Sequence, residues 1–77
     1  MPTRASHPVL KKVGARLRKL RTAKGWSQER LALAVDMDRS YVSGLERGEF
    51  NVSLVTLAKL ARALGVRLGA LVDSEQP

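Results

Sequence analysis

Hydrophobic residues recur along the chain at spacings of three and four, the period of an amphipathic helix. The clearest run starts at Leu10 and continues to Leu20, and it predicts a first helix over residues 9–24 that ends before Gly25. No stretch alternates apolar and polar residues with the two-residue period of a strand. The pattern therefore predicts an all-α fold.

Three further helix starts follow from a repeated arrangement of apolar and capping residues. An apolar residue precedes Ser27, Asp38 and Ser53, and another apolar residue comes four positions after each of them, as in an N-cap with a hydrophobic staple. The predicted helices lie at residues 28–35, 39–46 and 54–64, and a short fifth helix follows at 68–73. Five helices in a compact bundle are expected.

The bundle accounts for one small domain, residues 9–73, with a flexible arm at 1–8 and a tail at 74–77. Its apolar helix faces form the predicted core: Leu10, Val13, Leu17, Leu20, Leu31, Ala32, Val35, Val42, Leu45, Leu54, Leu57, Leu60, Ala61, Leu64, Val66 and Leu68.

Helices 2 and 3 are joined by only three residues, 36–38, which suffices for a tight turn between crossed helices. A short helix, a tight turn and a second short helix make a helix-turn-helix unit. Ala32 is small enough to let helix 3 cross helix 2 closely. Asp36 lies where the chain reverses, and a positive φ is predicted there because Asp tolerates it better than most residues.

Positive charge is concentrated at the N-terminal end of the chain. The net charge is +7, and residues 1–28 hold eight of the 14 Lys and Arg residues and no acidic residue. A basic patch attracts polyanions because binding releases counterions from phosphates. Charge alone is equally consistent with a solvated helix face.

Helix 3 has a polar face of unusual composition. Ser40, Ser43, Gly44 and Arg47 fall within one arc of the helix, and Arg39 lies at its edge. Surface helices ordinarily favour Glu, Lys and Ala. A face of small, hydrogen-bonding residues therefore indicates close approach to a partner.

The sequence of the helix-turn-helix unit and of the helices around it resembles the phage-repressor and Cro type of helix-turn-helix proteins, the XRE family. The resemblance covers nearly the whole chain and rests on LRKLRTAKGWSQERLALAV, DRSYVSGLERG, NVSLVTLAKLARALGV and LGALV. Within that family, DRSYVSGLERGEFNVSL is most similar to the controller proteins of restriction-modification operons, which are compact homodimers that regulate their own operon. The sequence departs from the family pattern at Asp36, Gly44, Arg67 and Ala70.

The resemblance implies that helix 3 enters the major groove of double-stranded DNA, and the outward face described above agrees. Arg39 is the strongest candidate for base reading, since a guanidinium can donate to O6 and N7 of one guanine. Contact with phosphate alone, or pairing with Asp38, is the alternative. Ser40 fits a base or a phosphate. Ser43 and Gly44 complete the predicted base-reading set, although Gly44 is equally consistent with a neutral substitution.

Phosphate contacts are expected at the helix ends. Gln28 matches the phosphate-binding glutamine of the family, at a helix start where backbone N–H groups are available to anions. The further candidates are Tyr41, Arg47 and Asn51. Tyr41 is equally suited to packing between helices.

Two charged residues lie within or beside apolar helix faces. Arg21 shares the helix 1 face of Leu10 and Leu17, where an unpaired guanidinium would be costly. Glu46 borders the inward face of helix 3. We predict a buried salt bridge between Arg21 and Glu46, and the family pattern also pairs a basic with an acidic residue at these positions.

A single reading helix covers too few base pairs to select an operator, so a homodimer on a pseudo-palindromic site is expected. The predicted symmetric interface comprises Val55, Leu68, Leu71 and Val72, with Phe50, expected to be exposed after helix 3, as a second candidate. Alternatively, Leu71 and Val72 cover the end of helix 1.

Other classes of function have less support. With one His, no Cys and no Gly-rich phosphate loop, the sequence predicts no enzyme activity, no metal and no cofactor. It lacks the ~20 consecutive apolar residues of a membrane span and the apolar centre of a signal peptide, so a cytoplasmic protein is expected. No small-molecule effector is evident. The alternative function is an antitoxin-type protein-interaction module with secondary DNA binding.

Overall fold

Five helices form the regular structure of residues 6–72, the part of the chain that the computed structural model describes. They are α1 (Pro8–Ala23), α2 (Gln28–Val35), α3 (Arg39–Glu46), α4 (Leu54–Leu64) and α5 (Gly69–Val72). The all-α class and the bounds of α2, α3 and α4 are confirmed. Residues 1–5 of the predicted arm, residue 73 of the predicted fifth helix and the predicted tail lie outside the described residues. None of the five helices is long and apolar enough to cross a membrane.

The first helix begins one residue earlier than predicted because His7 caps it. The Nδ1 atom of His7 accepts a hydrogen bond from the backbone N–H of Val9 at 3.1 Å. Pro8 fits the first helical position because it has no N–H that needs a partner. At the other end the helix stops at Ala23, one residue early, and Gly25 follows with a φ of 77°.

Serine side chains cap two of the three predicted helix starts. The Oγ atom of Ser27 accepts from the backbone N–H of Arg30 at 3.0 Å, and Ser53 accepts from Thr56 at 3.0 Å. Asp38 has the extended backbone of a cap, with φ −70° and ψ 142°, but its side chain makes no capping hydrogen bond. The start of α3 is therefore set by its backbone alone.

The turn between α2 and α3 has the left-handed residue that the sequence predicts. Asp36 has φ 58° and ψ 50°. The next residue, Met37, donates its backbone N–H to the carbonyl oxygen of Ala32 at 2.9 Å and so closes the turn. This reversal packs α3 against α2 as the second limb of the unit.

The buried core joins all five helices and contains most of the predicted positions: Leu10, Val13, Leu17, Leu31, Ala32, Val42, Leu45, Leu57, Leu60, Ala61 and Leu64. Leu20, Val35, Val66 and Leu68 pack against it half-buried. The prediction for Leu54 is wrong, since 70% of it is exposed. Leu54 is the first residue of α4, before the turns of that helix that carry its buried leucines.

Gly14 allows the backbones of α1 and α3 to touch. A side-chain carbon at this position would overlap the carbonyl groups of Leu45 and Glu46. Only glycine fits such a contact between main chains. The crossing fixes α1 directly against the C-terminal end of α3.

The fifth helix is part of the core and packs against α1. Leu71 is fully buried, so its prediction as an interface residue is wrong and the alternative that it covers α1 is supported. The Nε atom of Arg16 donates to the carbonyl oxygen of Ala70 at 2.6 Å and ties α5 to α1. Apolar spacing alone did not separate an outer from an inner leucine in so short a helix.

Candidate nucleic-acid interface

The polar face of α3 is largely open to solvent. Arg39 and Ser40 are exposed at the start of the helix, and Ser43 is half-buried one turn later. Arg47 is exposed immediately after the helix end. Spacings of three and four residues keep these side chains on one helix face, and all of them carry the donors or acceptors that contact with base edges or phosphates requires.

Gly44 does not belong to that exposed face. It is buried, and a side-chain carbon there would overlap the ring of Phe50, which folds back from the loop after α3. The prediction that Gly44 approaches DNA is therefore wrong. A helix viewed in isolation has Gly44 next to Ser43, but the returning loop covers it.

Phe50 is likewise not the exposed residue that was predicted. It is half-buried and packs against the core. Its ring centroid lies 5.7 Å from that of Tyr41, with the rings tilted by 51°. The aromatic pair supports a packing role for Tyr41, while its contact with phosphate stays a prediction.

The predicted salt bridge between α1 and α3 is present and buried. The Nε atom of Arg21 lies 2.6 Å from Oε2 of Glu46, and Nη2 donates to Oε1 at 3.0 Å. Nη1 of Arg21 donates to the carbonyl oxygen of Trp26 at 2.7 Å. Hydrogen bonding to Glu46 raises the pKa of the Arg21 guanidinium.

Gln28 connects this buried pair to the surface. Its Nε2 atom donates to Oε1 of Glu46 at 3.0 Å, and its Oε1 atom accepts from Nη1 of Arg39 at 3.4 Å. The carboxylate of Glu46 offers only acceptors, so the amide must direct its NH2 group inward and its carbonyl outward. The orientation of Gln28 is therefore fixed by charge.

A continuous chain of side chains thus runs from Arg21 through Glu46 and Gln28 to Arg39. The last bond, at 3.4 Å, is longer than an ordinary N–H···O bond, so it directs Arg39 without holding it firmly. The partner of Arg39 is Gln28 rather than the Asp38 considered from the sequence. Sequence reasoning missed this connection because residue pattern does not give the direction of an amide.

The other arginine of this face has an acidic partner of its own. Arg47 donates from Nε to Oε2 of Glu49 at 2.9 Å and from Nη2 to Oε1 at 3.1 Å. Its Nη1 atom donates to Oγ of Ser43. Hydrogen bonding to Glu49 raises the pKa of Arg47 further above neutrality. Asn51, the remaining phosphate candidate, is exposed two residues beyond Glu49.

A second cationic feature lies at the start of α2. The Nζ atom of Lys24 is 4.9 Å from the ring centroid of Trp26, and the guanidinium carbon of Arg30 is 4.8 Å from the same ring. Trp26 itself packs against the core. The ring therefore anchors two cations close in sequence to Gln28, which is one of the predicted phosphate contacts.

Exposed apolar side chains remain around α4 and α5. Val55 is 66% exposed and Val72 is 42% exposed, whereas Leu68 is half-buried. Leu54, 70% exposed, adjoins Val55 and was missed as a surface residue. These side chains leave apolar area that a second copy of the chain can cover.

Comparison with known proteins identifies the fold and its relatives. The helix-turn-helix family matches residues 17–71. The crystal structure of the restriction-modification controller protein C.AhdI from Aeromonas hydrophila is similar with a TM-score of 0.81 and 57% identity, covering 84% of this chain and 98% of that one. This similarity confirms the predicted family and its five-helix fold.

Two other relatives are also DNA regulators by name, and one of them was crystallised with its operator. A hypothetical transcription factor of Neisseria meningitidis is 50% identical over 50 residues, which are 65% of this chain but only 47% of that protein. The controller protein C.Esp1396I, crystallised as a tetramer with its natural 35 base-pair operator, is 35% identical with a TM-score of 0.75, over 80% of this chain and 82% of that one.

Proposed function

Because the chain belongs to the helix-turn-helix family of DNA-binding transcription regulators, we propose that it binds a pseudo-palindromic operator as a homodimer, in the manner of a restriction-modification controller protein. One observation carries the proposal. Arg39 is exposed at the start of α3 and is directed by Gln28, which is itself held by a buried ion pair. A base-reading side chain has to be presented from a rigid support, and this chain of contacts supplies one.

In the proposed complex, α3 lies in the major groove with its N-terminal end toward the bases. Arg39 donates to the O6 and N7 atoms of a guanine, and Ser40 and Ser43 contact neighbouring bases or phosphates. Gln28 keeps one N–H of its amide for a phosphate, because the other is used by Glu46. Arg47, Asn51 and Tyr41 are the further phosphate contacts.

Dimerisation through the apolar surface of α4 and α5 would present two reading helices to successive turns of the DNA, about 34 Å apart. Val55 and Val72, with the adjoining Leu54 and the half-buried Leu68, supply the surface for this contact. The operator complex of C.Esp1396I, which holds a tetramer of that protein, supports binding by more than one copy.

Gel shifts against a duplex selected from a random pool, and against random duplex, test the function. Arg39→Ala is expected to lose about 1 to 3 kcal/mol of discrimination between them, because one bidentate guanine contact is removed. Arg62→Ala, which removes an exposed cation of α4, is the matched control and should keep the ratio of affinities. Equal affinity of the wild type for every duplex would rule out sequence-specific regulation.

Sedimentation equilibrium at tens of micromolar protein tests the dimer. We expect a species of twice the 8.4 kDa chain mass, and Val55→Glu should shift it toward the monomer because a carboxylate would enter the apolar contact. A wild type that sediments only at 8.4 kDa would contradict the homodimer.

A further inference from the structure

Arg47 is already occupied in the protein without DNA. All three of its nitrogen atoms donate hydrogen bonds, two to the carboxylate of Glu49 and one to the hydroxyl of Ser43. The guanidinium and carboxylate meet in a bidentate arrangement, which is also how a guanidinium grips a phosphate. The same donors therefore face two competing acceptors once DNA approaches.

The ion pair is accessible enough to exchange partners. The side chain of Arg47 is 56% exposed and that of Glu49 is 33% exposed. Exposed ion pairs contribute little to stability, since water screens both charges. A row of phosphates therefore competes on favourable terms, whereas it could not displace the buried partner of Arg21.

Release of Arg47 also affects a neighbouring candidate contact. Ser43 is half-buried on the polar face of α3, and its hydroxyl oxygen accepts from Arg47. When Arg47 turns toward a phosphate, this oxygen loses its donor and becomes available to the amino group of a base. Glu49 thus restrains two of the predicted DNA-contacting side chains together.

We propose that Glu49 is an internal competitor of the DNA phosphates for Arg47, and that it lowers the affinity of the protein for every duplex. The inference rests on the proposed function. Its effect carries no sequence information, because phosphates are the same in all duplexes. Glu49 consequently sets the concentration at which the protein occupies DNA, while Arg39 sets which DNA is occupied.

The test measures binding of Glu49→Gln to the selected and the random duplex over a range of salt concentrations. Affinity for both should rise about two- to fivefold, the size expected from removing one exposed ion pair. The slope of log affinity against log salt should steepen by up to about 0.9, because the charge of Arg47 then counts fully against one phosphate. The ratio between the two duplexes should stay constant.

A double-mutant cycle separates competition for Arg47 from general repulsion. In an Arg47→Gln background, Glu49→Gln should no longer raise affinity. Asp36→Asn is the matched control, because it removes the same charge at a left-handed position that Asn tolerates. Asp36→Asn should change the affinity for DNA by less than Glu49→Gln does. Circular dichroism checks that each variant is folded.

Four outcomes would overturn the inference. Unchanged affinity of Glu49→Gln would exclude competition, and lowered affinity would show that Glu49 positions Arg47 for DNA instead. An increase that persists in full with Arg47→Gln would assign the effect to repulsion alone. If neither the wild type nor any variant binds any duplex, the proposed function is overturned together with the inference. If the wild type binds and one of the three preceding outcomes is seen, only the inference fails.

Discussion

Two Arg–Glu pairs lie at the C-terminal end of α3, and they share their chemistry but differ in burial and in the elements they join. Arg21 and Glu46 are both buried and join α1 to α3. Arg47 is largely exposed, Glu49 is one-third exposed, and both residues lie in the loop that follows α3. The first pair has additional polar partners: Arg21 donates to the carbonyl oxygen of Trp26, and Glu46 accepts from Gln28.

The difference teaches that the surroundings of an ion pair decide its role. A buried pair cannot lose one member cheaply, because the remaining charge would stay in a medium of low polarity. An exposed pair can lose one member at little cost in stability, because water solvates the remaining charge. The buried pair therefore suits a fixed support for Arg39, and the exposed pair suits a contact that DNA binding rearranges.

Breaking the buried pair should have the largest effect on folding. Glu46→Gln removes the charge that Arg21 needs, and we expect a loss of about 3 to 5 kcal/mol in the free energy of unfolding. Urea denaturation followed by circular dichroism measures it. If Glu46→Gln unfolds at the same urea concentration as the wild type, the pair does not stabilise the fold.

Cutting the link between the buried pair and the surface should have an intermediate effect. Gln28→Met keeps the length of the side chain but removes its hydrogen bonds to Glu46 and Arg39. We expect a loss of about 1 to 2 kcal/mol in unfolding free energy, together with weaker discrimination between selected and random duplex. Urea denaturation and gel shifts measure the two effects.

Leu33→Met is the control, because it also introduces a methionine into α2 but at an exposed position. It should change neither the free energy of unfolding nor the discrimination between duplexes. A Gln28→Met variant with full discrimination would show that Arg39 needs no support from Gln28.

Breaking the exposed pair should have the smallest effect on folding. Arg47→Gln is expected to change the free energy of unfolding by no more than about 0.5 kcal/mol, as for most surface substitutions. Its affinity for DNA should nevertheless fall for selected and random duplex alike, since one phosphate contact is lost. A folding loss near that of Glu46→Gln would erase the contrast between the pairs.

Much of this architecture follows from local sequence. Capping residues and apolar periodicity gave the bounds of α2, α3 and α4, because both act over a few residues. The pair of Arg21 and Glu46 was also predictable, since each charge lay where apolar residues were expected. In both cases the signal lies within single helices: capping and periodicity give the bounds, and a charge on or beside an apolar helix face indicates that it needs a buried partner.

The errors lie where distant parts of the chain meet. Gly44 was placed on the exposed face because a single helix cannot show that Phe50 returns to cover it. Leu71 was predicted at the surface and is buried, whereas Leu54 was predicted in the core and is exposed. Burial at the ends of short helices depends on which neighbouring element covers them. The directions of Gln28 and the Arg47–Glu49 pairing likewise depend on side-chain conformation rather than on pattern.

The fixed direction of the Gln28 amide has an electrostatic consequence for its neighbour. In this structure the side chain at position 39 faces a carbonyl oxygen, which a donor such as the guanidinium of Arg39 can use. An acidic residue there would oppose that oxygen and could not accept from a cytosine unless Gln28 or Glu46 changed as well. Ser40, which is exposed beside Arg39, faces no such fixed acceptor in the described contacts.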